Sequence, residues 1–171
     1  MMTIDIESMA IEMPVVAGHP NREAFRGVLT LVDVASTRAP GGSRGHRVVL
    51  MRRAAEEALA SLLGMALDYS PTLDRHDVRR KVGIITRADI VERKVELGGY
   101  LFAKDFPEIV REIERSSRDK SRGLGMSYEI SGAQVADIRA QVWTLTHVTF
   151  TGAAILRRNR AAYPETWIEL E

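Results

Sequence analysis

The feature that most limits the fold is a succession of short β-branched and aromatic runs lying next to one another in sequence. Residues 82–86, 90–97 and 100–102 are three such runs, separated by charged turns and by Gly98 and Gly99. Residues 124–130, 135–142 and 143–150 form a second group, and 24–35 (AFRGVLTLVDVA) alternates enough to be a further strand. Strands that follow one another through short turns pair antiparallel. Six or seven of them in one small domain favour a barrel or a sandwich. Two segments carry the helical period instead. Residues 48–67 place Leu50, Ala54, Ala58, Leu59, Leu62 and Leu63 three and four apart, with Gly64 as a stop. Asp105 is set to cap a second helix, with Pro107 in its first turn and Phe106, Ile109, Val110 and Ile113 on one face. Residues 155–171 begin as a third helix. The expected fold class is α+β, mainly β: an antiparallel β-barrel of about six or seven strands with flanking helices.

The chain has 171 residues, the size of one domain, and neither a repeat nor a linker divides it. We expect a single domain over 1–171, with its core at about 24–160 and an N-terminal arm (1–20) and a C-terminal tail (160–171) at the periphery. Residues 36–47, rich in Gly and Arg, read as a mobile surface loop. A hydrophobic content of 45% suffices for a core, and a net charge of +1 excludes a global basic field. The absence of cysteine excludes disulfides and thiolate metal sites. No apolar run approaches the ~18–20 residues of a membrane span, and the acidic N-terminal stretch does not read as a signal peptide.

The four histidines, His19, His46, His76 and His147, form no H-x-x-x-H or H-E-x-x-H pair. The only Gly-rich loop, residues 41–45, lacks the phosphate-binding pattern. Neither a metal nor a cofactor is expected. Without cysteine, a nucleophile has to be Ser or Thr, with a base in reach and a third group to orient it. Ser127 lies in GLGMSYEI, a strand entered through two glycines that leave room for a substrate backbone. His147 lies in LTHVTF, on a strand expected near that of Ser127, and His76 lies in a polar turn. Each also has a purely structural reading: a hydrogen-bonded strand serine, a packed strand histidine, an exposed turn histidine. Arg38, Arg44, Arg47, Arg52 and Arg53 have no carboxylate among them. They read as a soluble loop and helix start, and no aromatic residue is interleaved to stack on bases, so nucleic acid is not the expected partner.

Three blocks taken in order resemble the capsid-maturation serine proteases of tailed phages, the prohead proteases, which are similar to the herpesvirus assemblins. The first runs from GMALDY to His76 and on to Val82-Gly83-Ile84-Ile85. The second is LGMSYEI around Ser127, and the third is WTLTHVTFTGAA around His147. Together they span roughly residues 24–160. The resemblance implies a herpesvirus-protease-like barrel and a serine endopeptidase acting through an acyl-enzyme. It implies Ser127 as nucleophile, His76 as base and His147 as third member, where many phage relatives carry a carboxylate. It also implies oxyanion donors near Arg157 and Arg158. Capsid and scaffolding proteins would be the substrates, inside an assembling procapsid in the host cytoplasm, with homo-oligomerisation left open and no membrane partner. Two alternatives stand beside it: a catalytically inactive assembly member of the same fold, and a small β-barrel binding nucleic acid through the arginines of residues 38–53.

Overall fold

A computed structural model describes residues 13–171 other than 15, 120 and 122. The chain runs β1 (Glu23–Leu31), β2 (Arg47–Leu50), α1 (Arg52–Ala58), a 3₁₀ turn (Leu59–Leu62), β3 (Ala66–Asp68), β4 (Lys81–Val91), β5 (Lys94–Leu101), α2 (Pro107–Arg118), β6 (Leu124–Val135), β7 (Val142–Arg157) and β8 (Trp167–Leu170). The strands build one eight-stranded sheet in the order β2-β7-β3-β4-β5-β1-β8, with β6 paired to β7 outside that path. The fold is mixed α/β, mainly strands, with two α-helices among the described residues, and the sheet curls into a half-barrel.

The expected closed antiparallel barrel is not what forms. The reason lies in β7, which is 16 residues long. One edge of it carries β6 antiparallel, and the other carries β2 and β3, both parallel. Because β2 and β3 share one edge of β7, the sheet branches there, and β6, on the other edge, lies beside β1 and β8 without a ladder to either; its Met126 N–H donates instead to the Thr166 hydroxyl at 3.1 Å, so the ring stays open. Phe25, Leu29, Leu67, Ile85, Leu101, Met126 and Phe150 belong to one core, each almost fully buried. Helix α2 adds Ile109 and Ile113, the face its 3.6-residue period marked out. Its N-cap is Phe106, not Asp105, whose carboxylate instead accepts from the Asn21 amide at 2.8 Å.

Other differences follow from strand length. The three runs between 82 and 102 are two strands joined at Glu92 and Arg93. Gly98 and Gly99 lie inside β5, not in a turn, opposite a bulge in β4 between Ile85 and Arg87. A Cβ on Gly98 would sit 2.7 Å from the Arg87 guanidinium, and one on Gly99 would strike the Ile84 carbonyl and lie 2.9 Å from the Phe25 ring. The glycines are there for close approach, not for chain reversal. Residues 48–50 are strand and 66–67 are strand, so the helix expected over 48–67 shrinks to its middle.

The tail expected at the periphery is built into the sheet. Residues 155–157 extend β7 rather than start a helix, and β8 pairs antiparallel with β1, from Phe25 opposite Leu170 to Val28 opposite Trp167. Tyr163, Thr166 and Ile168 are buried. The loop over 36–47 is tied down as well. The Ser43 hydroxyl lies 2.7 Å from the Pro40 carbonyl and 2.6 Å from that of His46, and the buried Ser36 hydroxyl accepts the Val48 N–H. No helix among the described residues is long and apolar enough to cross a membrane.

Candidate active site

Ser127 and Glu129 stand two apart on β6, which puts both side chains on one face of the strand. Across that face lies His76, on the loop between β3 and β4. Its Nε2 is 3.2 Å from the Ser127 Oγ, and its Nδ1 is 2.8 Å from a Glu129 carboxylate oxygen. The carboxylate only accepts, so Nδ1 carries the ring proton and Nε2 is left as the acceptor for the serine hydroxyl. That is the order nucleophile, base, orienting carboxylate.

The loop carrying His76 is fixed at several points. The Asp77 N–H donates to the Asp68 carboxylate at 2.9 Å. Buried Ser70 and its neighbour Thr72 both hydrogen-bond Asp74, whose carboxyl is held below the usual range by the Thr72 hydroxyl first and that of Ser70 after it. Arg157 N–H donates to the Leu73 carbonyl at 2.7 Å and fastens the loop to β7. Gly152 is opposite Glu129 on β7, where a Cβ would come within 2.9 Å of the glutamate Oε2. Glycine there is what lets the carboxylate lie flat against the neighbouring strand.

Asp68 backs this arrangement. Its side chain is only 2% exposed, and one oxygen lies 4.0 Å from His76 Nδ1. Burial pushes its carboxyl up to about 7, and the hydrogen bond and charge of Glu129 add to that, against the opposing Asp77 N–H and Lys81. For Glu129, burial works upward, but hydrogen bonds from Asp68 and His76 and the charge of Lys81 outweigh it and hold the carboxyl below its ordinary value. Of the two carboxyls Asp68 holds a proton the more readily, and Glu129 is the one that keeps its negative charge towards His76. Asp68, His76 and Glu129 also place one ligand atom each within 4.8 Å of one another, a set with the donor chemistry for a divalent cation. A serine hydroxyl on the far ring nitrogen is a feature that a nucleophile–base pair requires and a metal site does not.

From Ser127 and His76 a cavity of about 810 Å³ runs along the β6–β7 hairpin towards the 40–46 loop. Val48, Ile130, Val135, Ile138, Trp143 and Leu145 give its wall apolar surface, and Ser43, Arg44, His46 and Glu129 give it polar groups. Trp143 stacks on His46 with ring centroids 4.4 Å apart, and its indole N–H donates to the Ile138 carbonyl at 3.1 Å.

The structure thus brings two of the expected residues together and leaves the others elsewhere. His147 is exposed on β7 opposite Gln134, whereas Ser127 faces Ala154. Seven residues of extended strand separate those positions, roughly 20 Å, so His147 is not the third member; the antiparallel register decides this. Arg157 and Arg158 do not line the cavity at Ser127 but a separate one of about 730 Å³. Their N–H groups are committed to the Leu73 and Gly123 carbonyls, which removes them as oxyanion donors. Arg52 and Arg53, counted in the basic cluster, pair with Asp33, Glu56 and Glu57. Sequence reasoning missed Glu129 and Asp68. The signal for Glu129 was present: it is the carboxylate two residues from Ser127 on the same strand. Asp68 had no comparable mark, because only the fold sets β3 beside β7.

No family model matches the chain, and no curated protein matches it.

Proposed function

We propose that this protein is a serine endopeptidase that works through an acyl-enzyme, with Ser127 as nucleophile, His76 as general base and then acid, and Glu129 as the orienting carboxylate. The observation that carries this reading is the unbroken contact from Ser127 Oγ through both ring nitrogens of His76 to Glu129. The Ser127 oxygen attacks the scissile carbonyl while its proton passes to His76 Nε2. Collapse of the tetrahedral adduct transfers that proton to the departing amine. Water, deprotonated by the same nitrogen, then releases the acid and restores the serine. Glu129 holds the ring in the productive tautomer and stabilises the imidazolium. A carboxylate in this place serves that purpose better than the neutral imidazole expected from His147.

The ordered blocks around His76, Ser127 and 143–154 support the narrower reading, a prohead maturation protease of herpesvirus-protease-like fold acting on capsid or scaffolding proteins inside a procapsid. The half-barrel would then be an open variant of that barrel. The test is labelling by a fluorophosphonate. Ser127 should react, Ser127→Ala should not, and a chelator should change nothing. A folded protein that fails to label is the inactive assembly member, and labelling or hydrolysis abolished by the chelator would assign the Asp68–His76–Glu129 cluster to a metal.

A further inference from the structure

Asp68 is the only carboxyl among the buried polar side chains of the described residues, and neither the attack by Ser127 nor the proton transfers through His76 use it. We propose that Asp68 is a positioning residue of this site, a neutral carboxylic acid that donates to the Glu129 carboxylate and so holds it on His76 Nδ1. This rests on the serine hydrolase reading and adds a fourth residue to its machinery.

Three observations carry the proposal. First, strand register brings the two carboxyls together. Asp68 on β3 and Ser127 on β6 pair with Ala154 from opposite edges of β7, and Glu129 pairs with Gly152. At those positions β7 offers only a methyl group and a hydrogen, and across them Asp68 and Glu129 hydrogen-bond. Secondly, the two Asp68 oxygens have different neighbours. Oδ1 accepts the Asp77 N–H at 2.9 Å, and Oδ2 is the oxygen 4.0 Å from His76 Nδ1. That gap is too long for a hydrogen bond, and the Nδ1 proton already goes to Glu129 at 2.8 Å. Oδ2 is thus left to Glu129. Thirdly, the surrounding charges decide which carboxyl donates. The groups facing Asp68 are Glu129 from β6, His76 and the Asp77 N–H from the loop, and Lys81 at the start of β4. No Lys or Arg forms an ion pair with Asp68 among the described residues. Two carboxylates in contact at a buried position do not both stay ionised, and an ionised one has no proton to donate. Glu129 keeps its charge because His76 donates to it, so the acid proton belongs to Asp68. Its hydrogen bond stops the Glu129 carboxylate from turning, and with it fixes the direction of the His76 ring.

The probe is a fluorophosphonate, and the readout is its second-order rate of reaction with Ser127 in the full chain, a chelator being present throughout. Asp68→Ala should slow labelling about 10²-fold, the scale of a displaced catalytic group. Asp68→Asn, whose amide donates to Glu129 and accepts the Asp77 N–H, should recover about 30-fold of that loss. In a Glu129→Ala background, Asp68→Ala should cost less than about threefold, because the group it positions is gone. Asp68→Val, which suits a buried strand, takes the place of Asp68→Ala if the alanine variant has no cooperative melt. Asp68→Asn as slow as Asp68→Ala would show that the carboxyl acts as an anion and overturns the proposal, as does an Asp68→Ala that labels at the original rate. A cost that is the same with and without Glu129 makes Asp68 a structural residue and overturns it too. In these three cases the unsubstituted chain still labels at Ser127, and the hydrolase reading stands. A folded, unsubstituted chain that fails to label removes that reading and the proposal together.

Discussion

Whether a residue on the β6–β7 hairpin can serve His76 depends on its register and its face. Glu129 lies two positions from Ser127 and meets His76 at 2.8 Å, while His147 lies opposite Gln134, exposed. Glu129→Gln keeps the shape but turns an acceptor pair into an amide that can present its own N–H to Nδ1, which favours the wrong tautomer. Loss of up to ~10⁴ in kcat is expected, the scale seen when a triad carboxylate becomes its amide. His147→Ala should stay within about twofold, and steady-state kinetics of the two variants side by side checks both. Equal losses would return His147 to the site. Asp68 gives a pH signature of its own. The unfolded chain ionises this carboxyl near ~3.9, whereas the folded chain keeps the proton up to about 7. The folded state binds the extra proton across that window, so stability contributed by this group falls as pH rises through it and is level above. Asp68→Asn keeps a donor for Glu129 and an acceptor for the Asp77 N–H but does not titrate. Its stability relative to the unsubstituted chain should therefore rise from pH 4.5 to pH 8, read as urea midpoints. A difference that is the same at both values would show that Asp68 is not protonated in the folded state.

The hairpin β6–β7 is the element that makes the site, and its cross-strand pairs set the distances. Ser127 faces Ala154 and Glu129 faces Gly152, two small residues that clear the surface on which His76 lies. Gly152→Ala would place a Cβ 2.9 Å from Glu129 Oε2 and 3.2 Å from the Ala66 carbonyl. The Glu129 carboxylate is the softer of the two neighbours, so it should move and lose its grip on His76. We expect a loss of about 10²-fold in activity, the scale of a displaced catalytic group, with circular dichroism and melting behaviour close to the original. A fully active Gly152→Ala would mean that Glu129 is not held at the position described. The beginnings of this element were readable from its residues. The Leu124–Ile130 run, the glycines before Ser127 and the i, i+2 carboxylate are all local features. What was not readable was that 135–142 is not one strand but the end of β6, a turn and the first residue of β7. A half-exposed ribbon shows little alternation, because neither of its faces is fully buried.

Across the whole molecule, the C-terminal segment closes the core. Ile168 and Tyr163 are each 2% exposed, and Glu171 N–H donates to the Ala24 carbonyl at 2.9 Å. Burying two such side chains contributes about 5 kcal/mol at roughly 1.5–3 kcal/mol each, a large part of the 5–15 kcal/mol typical of a domain. Removing residues 163–171 should leave a chain without a cooperative thermal transition, and a native-like melting curve would show the tail to be dispensable. Charge spacing and hydrophobic period had suggested the opposite for this segment, since RRNRAAY is polar and its strand is only four residues long. Local pattern alone determined that the chain is mainly strand with an amphipathic helix α2, that no thiol chemistry is open to it, and that Ser127 and His76 are candidates; these follow from side-chain period and residue type, which are properties of neighbours in sequence. The sequence separation of 51 between His76 and Ser127 was closed to 3.2 Å by pairings that no local pattern encodes. Tertiary structure also decided between Glu129 and His147, placed buried Asp68 behind the base, spent the Arg157 and Arg158 N–H groups on loop carbonyls, and left the barrel open. Each of those depends on strand register and on which edge of β7 is taken, and register is set by the burial of one face against the rest of the molecule.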